Sequence, residues 1–363
     1  MIYGSSVQSQ TKPPFKKIQK YLDAAVEENL SGVLVYIKCP DKGIWIGAAG
    51  YSDKAQNIPI KPSDIIALAS VSKVYIAVSV FKLIEQGILA LEDRIAKYLP
   101  SHIIKNLPNG DIITIKQLLN HTSGLFNYEF DSTLNELYLS NRLRLDTVSH
   151  EEALERYVFG KEPLSYPGEE HHYSSTGYKL LAMIMDELLP RGHTEFVREM
   201  IRDAGMSETF YRETPTNNNI RYYGDLDKDG VQEDISDKVF ETTNWFIGDD
   251  GLYSRIDEVG IFIEKLIKGK ILGEEALSQM MTWNDEKNPD YGQGLFPDKS
   301  FPYKFTVGHS GRGIGSTTDV YYFPKQEITI AILSNTGLRA AASQFRRTYL
   351  KLRNRIVKKI FLF

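Results

Sequence analysis

Apolar positions recur at two different periods along this chain, and the switch between them outlines its organisation. After a polar opening, Phe15, Ile18, Leu22, Ala25 and Val26 fall on one face at helical spacing, which predicts a first amphipathic helix. The runs "GVLVYIK" and "GIWIGAAGY", with Pro40 and Asp41 between them, read as a hairpin. Towards the far end, "FTVGHSG", "STTDVYYFP" and "EITIAILSN" predict three more strands. A last helix is expected from about Leu338, with Phe345, Tyr349, Leu352, Ile356 and Ile360 on one stripe. The patterns between the two ends are mostly helical. The expected fold is therefore α+β: both chain ends build one antiparallel sheet covered by the terminal helices, and the middle builds a helical lobe. The corresponding bounds are a disordered polar tail over 1–14, a sheet lobe over about 15–65 and 295–363, and a helical lobe over about 66–294. No internal repeat or low-complexity linker interrupts this plan.

With 363 residues, 42% of them hydrophobic and 25% charged, the chain can bury a large core as one domain or as two lobes. A formal charge of -4 gives no footprint for nucleic acid, so none is expected as a partner. Cys39 is the sole cysteine, which excludes an intramolecular disulfide and a cysteine metal cluster. The opening "MIYGSSVQSQTKPP" lacks the basic start and apolar run of a secretory signal. Two placements stay open: periplasmic or otherwise extracytoplasmic if an export signal has been removed, cytoplasmic if not. The closing "FRRTYLKLRNRIVKKIFLF" has seven basic residues and no acid. It can be read as a membrane-surface helix, or as a sheet-covering helix whose Lys and Arg heads stay solvated. The apolar stripe suits the second reading, and no firm membrane contact is expected.

The chemistry begins with a serine three residues before a lysine, which occurs three times: Ser9–Lys12, Ser70–Lys73 and Ser79–Lys82. On a helix this spacing puts both side chains on one face. A serine hydroxyl needs a base, and a lysine can serve if burial lowers its pKa from ~10.4. Ser9 lies in the polar tail. Ser79 lies inside a helix whose stripe Ile76, Val80, Leu83 and Ile84 faces the core, leaving Lys82 to solvent. Ser70 stands where "KPSDIIALAS" gives way to the helix "KVYIAVSVFKLIEQG", so its backbone N–H can point into a cleft as an oxyanion donor. Ser70 is the candidate nucleophile.

Two further stretches belong with it. "YPGEEHHYSSTGYKLL" places Tyr173 after the turn residues Pro167 and Gly168, and "VGHSGRGIGS" ends a strand with His309, Ser310 and Gly311. In this order the three pieces resemble the serine beta-lactamase and penicillin-binding-protein superfamily, in the branch of class C beta-lactamases, DD-peptidases and family VIII esterases. "GAAGYSD", "ITIKQLLNHTSGL" and "YGQGLF" match the same branch, and the resemblance runs from about Phe15 to Leu350. It implies that Ser70 is acylated, that Lys73 and Tyr173 relay its proton as one coupled unit, and that the Arg312 N–H is the second oxyanion donor. His309, Ser310, Gly311 and Arg312 would line the substrate, with Gly311 allowing a close approach. The chain departs from the family in Tyr173-Ser174-Ser175, where Ser175 replaces an asparagine and would hold a substrate carbonyl less firmly. Asp249 and Asp250 before Gly251 add charge where relatives often carry small residues, and Arg312 could meet a substrate carboxylate.

The implied activity is hydrolysis through an acyl-enzyme, on small esters or D-amino-acid peptides that could derive from peptidoglycan. A beta-lactamase and a non-catalytic sensor of cell-wall peptides are the alternatives. The chemistry needs no cofactor. One acidic stretch, "DLDKDGVQED", matches the first half of a calcium loop through Asp225, Asp227, Asp229 and Gly230, with Glu233 in the ninth place; Ser236 stands where the closing Glu belongs. The stretch is expected more as an acidic surface turn than as a bound calcium. "GHSGR" lacks the second glycine of a nucleophile elbow, and "GRGIG" lacks the context of a dinucleotide site. His171 and His172 beside Glu169 and Glu170 read as a solvated loop, and His121 as a residue that fixes a helix end.

Overall fold

The computed structural model describes residues 14–139, 148–216, 219–284, 291–297, 305–339 and 341–362. Apart from Pro14, the expected tail and its Ser9–Lys12 pair lie outside the described residues. The helices are α1 (Phe15–Glu28), α2 (Ser72–Glu85), α3 (Ser101–Asn106), α4 (Ile115–Leu119), α5 (Ser132–Leu139), α6 (His150–Tyr157), α7 (Ser175–Leu188), α8 (Gly192–Asp203), α9 (Ser236–Trp245), α10 (Ile256–Ile267), α11 (Glu274–Met280) and α12 (Ser343–Phe361). The strands are β1 (Gly32–Cys39), β2 (Gly43–Asp53), β3 (Ile58–Pro59), β4 (Ile65–Ala67), β5 (Thr209–Tyr211), β6 (Tyr223–Gly224), β7 (Glu233–Asp234), β8 (Leu252–Arg255), β9 (Phe296–Pro297), β10 (Val307–Arg312), β11 (Thr317–Phe323) and β12 (Ile328–Ser334).

Both chain ends meet in a seven-stranded antiparallel sheet of order β3-β2-β1-β12-β11-β10-β9. Its central seam pairs Val33 with Ser334 and Tyr36 with Ala331, so residues about 300 apart in sequence are direct neighbours. The central strands β1, β12 and β11 are buried at nearly every position because both faces are covered, and alternation divides their side chains between two cores. Val33, Val35 and Ile37 of β1 join Ile330 and Ile332 of β12 under α1 and α12. Leu34 and Tyr36 face the other way, into the core shared with the helical lobe. The five stripe residues of α12 are all buried on the sheet, which accounts for its apolar face without any lipid. None of the described helices is long and apolar enough to cross a membrane.

Three features depart from the expected plan. A second sheet of order β4-β8-β5 lies within the span read as helical. Its strands have only three or four residues, too short to show a period in the sequence. Helix α10 also falls in that span, yet it packs on β1, β11 and β12. Gly260 permits the approach, since a Cβ there would meet Tyr36 Cδ1 at 2.5 Å. The last helix begins at Ser343, a few residues after the expected start.

Candidate active site

Strand β4 ends at Ala67, and a one-turn 3-10 segment, Ala69–Val71, carries Ser70 up to the start of α2. Ala69 has φ of +50°, a left-handed conformation that a residue with a Cβ adopts only when its surroundings impose it. Here they do. Ala67 N–H donates to Tyr222 Oη at 2.9 Å, Leu68 N–H to Leu252 O at 2.8 Å, and Leu252 N–H to Ser72 Oγ at 3.3 Å. The turn is thus tied to β8 on both sides of the strained residue.

Lys73, fully buried in the first turn of α2, places Nζ 3.2 Å from Ser70 Oγ and donates to Asp249 O at 3.1 Å. Tyr173 stands beside both in the cleft wall, with Lys73 Nζ 5.1 Å from its ring centroid. Burial opposes the Lys73 ammonium, but the fields of Tyr173, Asp249 and Glu129 outweigh it and hold Lys73 above its ordinary range. The expectation of a lysine made basic by burial is therefore corrected: anionic neighbours keep its proton on. Tyr173 is raised, first by burial, with Lys73 and Ser70 pulling the other way. The Lys73–Tyr173 pair thus rests with both protons in place and must lose one before it can accept that of Ser70.

His121 shapes the approach of Tyr173. Its Nδ1 accepts the Ser174 N–H at 3.2 Å, at the start of α7, and its ring centroid lies 4.2 Å from that of Tyr173. An accepting Nδ1 assigns the proton of the neutral ring to Nε2. Burial, together with nearby Lys73, keeps His121 uncharged. Ser79 and Lys82 have no part in the cleft: Ser79 Oγ donates back to Tyr75 O at 2.9 Å, and Lys82 pairs with Glu85.

On β10, strand alternation separates residues that the sequence grouped together. Val307 belongs to the core shared with the helical lobe, so His309 and Gly311 face the same side, towards Ser70. A Cβ on Gly311 would meet Leu68 O at 2.3 Å and Ser70 N at 3.3 Å, so only glycine lets the strand touch the nucleophile turn. His309 Nδ1 donates to Ser310 O at 2.8 Å, and Nε2 accepts from Tyr291 Oη at 2.8 Å. Burial pushes the ring down to about 3, so His309 brings a neutral imidazole and no positive charge.

Ser310 and Arg312 send their side chains to the opposite face, under α12. Ser310 Oγ bonds Asp319 and Tyr321 Oη. Arg312 donates to both oxygens of Asp319, at 2.9 and 3.2 Å, and lies over the Tyr349 ring. Asp319 thus engages the Arg312 guanidinium, yet Ser310 and Arg312 still border the cleft beside His309. Ser175, by contrast, does not line the cleft; it is fully buried in the first turn of α7. Its N–H donates to Asn127 Oδ1 at 3.3 Å. The carboxamide in the cleft wall is that of Asn127, contributed by a different loop.

The cleft has a volume of about 350 Å³, and its walls include Ser70, Asn127, Glu129, Tyr173, His309, Ser310, Arg312 and Arg339. Glu129 and Arg339 join the two lobes across it: Arg339 donates to Glu129 Oε1 at 2.9 Å and to Glu129 O at 3.0 Å. Although burial disfavours the Glu129 carboxylate, Arg339 and Lys73 hold it below its usual range.

The Beta-lactamase family model matches residues 17–354. The chain belongs to the Beta-lactamase family. Members of this superfamily are serine acyl-transferring hydrolases. Penicillin-binding protein 4* of Bacillus subtilis is 27% identical over 306 residues, covering 79% of this chain and 64% of that protein. The chain thus spans just under two thirds of that relative. A D-stereospecific amidohydrolase from Streptomyces sp. superposes with a TM-score of 0.79 at 23% identity, over 92% of this chain and 98% of the other. A D-amino acid amidase from Ochrobactrum anthropi SV3 does so with a TM-score of 0.79 at 21% identity, over 95% and 98%. Both likenesses show the shared fold.

Within the Beta-lactamase fold, the sequence reading missed Asn127, Glu129, Tyr291 and Arg339. Asn127 directly follows the family-like "HTSGLF", and Tyr291 opens "YGQGLF", so both had a local signal. Arg339 had none, because its partner is 210 residues away. Elsewhere, the carboxylates of Asp225, Asp227 and Asp229 lie within 4.8 Å of one another, and Glu233 stands outside that group in β7. Asp225 accepts the N–H groups of Gly230 and Ala342, at 3.3 and 2.9 Å, so the loop also serves to anchor the start of α12.

Proposed function

We propose that the protein hydrolyses small esters or D-amino-acid peptides and amides through a Ser70 acyl-enzyme. The observation that carries this is the 3.2 Å contact of Ser70 Oγ with the Lys73 ammonium in a cleft that Tyr173 also lines. After the pair loses one proton, it takes the Ser70 proton as Oγ attacks the substrate carbonyl, then passes a proton to the leaving group. The N–H groups of Ser70 and Arg312 flank the place where the oxyanion forms. Water then attacks the ester, with the same pair acting in reverse. The modest cleft, bridged by Glu129 and Arg339, favours substrates with one short acyl group. Similarity to a penicillin-binding protein and to D-amino-acid amidases agrees with that class.

The test is covalent and kinetic. Ser70→Ala is expected to abolish labelling by a fluorophosphonate and turnover of p-nitrophenyl butyrate, while Ser79→Ala retains both. Equal loss in the two variants would refute the assignment. A panel of p-nitrophenyl butyrate, D-phenylalanine amide, a D-Ala-D-Ala peptide and nitrocefin then ranks the substrates. Nitrocefin turned over faster than every other member would make the enzyme a beta-lactamase instead.

A further inference from the structure

Behind Lys73 lies a second buried cation. Lys179 of α7 is fully buried, with Nζ over the rings of Trp245, at 4.6 Å from the centroid, and Tyr128, at 5.1 Å. Its Nζ lies 3.5 Å from His150 Nδ1, and burial holds that ring neutral. Between the two lysines stands Asp249, 1% exposed. Its backbone oxygen accepts from Lys73, and its Oδ2 accepts from Tyr128 Oη at 2.8 Å. Oδ1 takes no hydrogen bond among the described residues. A buried carboxylate with one bare oxygen is costly unless cations compensate it.

We propose that Asp249 is a positioning residue, the counter-charge shared by Lys73 in front and Lys179 behind, and that this sharing sets the pH at which Ser70 becomes reactive. The inference rests on the acyl-enzyme reading above.

The charges on every side fit the role. Lys73 faces Tyr173, Asp249 and Glu129, and it acts on the neutral rings of His121 and His309. Asp249 faces Lys73, Glu129, Lys179 and Tyr128, with Asp250 next in the chain and Tyr211 behind. Lys179 faces Asp249, Arg212 and Glu129. Arg339 is engaged with Glu129, whereas Asp249 makes no ion pair of its own among the described residues and is felt by both lysines. Burial pulls Lys179 down to about 8, with Asp249 opposing, while burial lifts Asp249 to about 6 against the pull of both lysines.

The signs follow from charge. Removing the negative charge of Asp249 makes it easier for the Lys73–Tyr173 pair to lose its proton, so the acid limb of kcat/KM moves to lower pH. Removing the positive charge of Lys179 leaves more of the Asp249 field on Lys73, so the limb moves to higher pH. For Asp249→Asn, which can still accept from Tyr128, the expected shift is about 1 pH unit or more downward. Lys179→Met should shift the limb upward, and the double variant should return towards the wild type.

The experiment is kcat/KM for p-nitrophenyl butyrate against pH in the full chain, with thermal melts and fluorophosphonate labelling to verify folding. A residue of purely structural importance would lower activity without moving the limbs in opposite directions. Limbs that stay in place, or move the same way in both variants, would overturn the proposal. If Asp249→Asn does not fold, the direction of the Lys179→Met shift decides alone. Retained turnover in Ser70→Ala would instead overturn the acyl-enzyme reading, so the two failures are distinguishable.

Discussion

Single atoms govern how the nucleophile is presented. Gly311 is the place where β10 meets the turn carrying Ser70, and an added methyl group would sit 2.3 Å from Leu68 O. That contact is with backbone, so the strand or the turn must move. Gly311→Ala is therefore expected to lower kcat/KM for ester hydrolysis by at least ~10²-fold, the scale of a misplacement of about 1 Å at a reacting centre. Steady-state kinetics with a melting curve would check this. Rates near wild type would show that the close approach is dispensable. His309 belongs to the same scale. Its two hydrogen bonds fix it as a neutral ring that orients Tyr291, so it does not supply the charge that a lysine would.

Between elements, one hydroxyl makes two of the hydrogen bonds that join the loop ahead of α5 to the start of α7. Thr176 Oγ1 donates to Phe126 O at 2.7 Å and accepts the Tyr128 N–H at 3.0 Å. The joint aligns Asn127 in the cleft wall with Tyr173 just before the helix. Thr176→Val keeps the shape and leaves both backbone groups without that partner, which should destabilise the fold by about 2 kcal/mol or more. Denaturant unfolding would measure the loss, and a change under ~0.5 kcal/mol would mean that water replaces the hydroxyl. Because Tyr173 and Asn127 share this joint, kcat should fall along with stability.

Across the whole molecule, neutral buried histidines make stability depend on pH. His309 titrates near 3 in the folded protein and near 6.5 when unfolded, and His121 is likewise depressed by burial. Below 6.5 the unfolded chain binds protons that the folded protein refuses. The contribution is complete above 6.5 and is lost as pH falls towards 3, at about 1.4 kcal/mol per pH unit for each fully titrating histidine. Melting temperatures between pH 7 and 4 should fall accordingly, with a shallower slope in His309→Gln. An unchanged slope in that variant would place the acid sensitivity elsewhere, with the carboxylates as the next candidates. The lobes are also joined by the Glu129–Arg339 pair, so acid that protonates Glu129 would loosen the cleft as well as the core.

The sequence by itself determined what depends on local period and spacing. Apolar alternation marked the hairpin and the last three long strands, the stripe at Phe345, Tyr349 and Leu352 marked the sheet-covering helix, and Ser70 with Lys73 stood out from Ser79 with Lys82 by position relative to a helix start. Tyr173 and the "HSG" strand were legible because their neighbours form short contiguous motifs. Tertiary structure decided whatever depends on distant neighbours. It turned Ser310 and Arg312 under α12 towards Asp319, put Asn127 in the cleft wall while burying Ser175, and formed a second sheet from strands too short to show a period. It also decided the charge of Lys73. Burial alone would have made the lysine a free base, but Asp249 and Glu129, brought from loops 176 and 56 residues away in sequence, keep it an ammonium. Coulomb fields act through space, and the order of residues along the chain does not record which charges will meet.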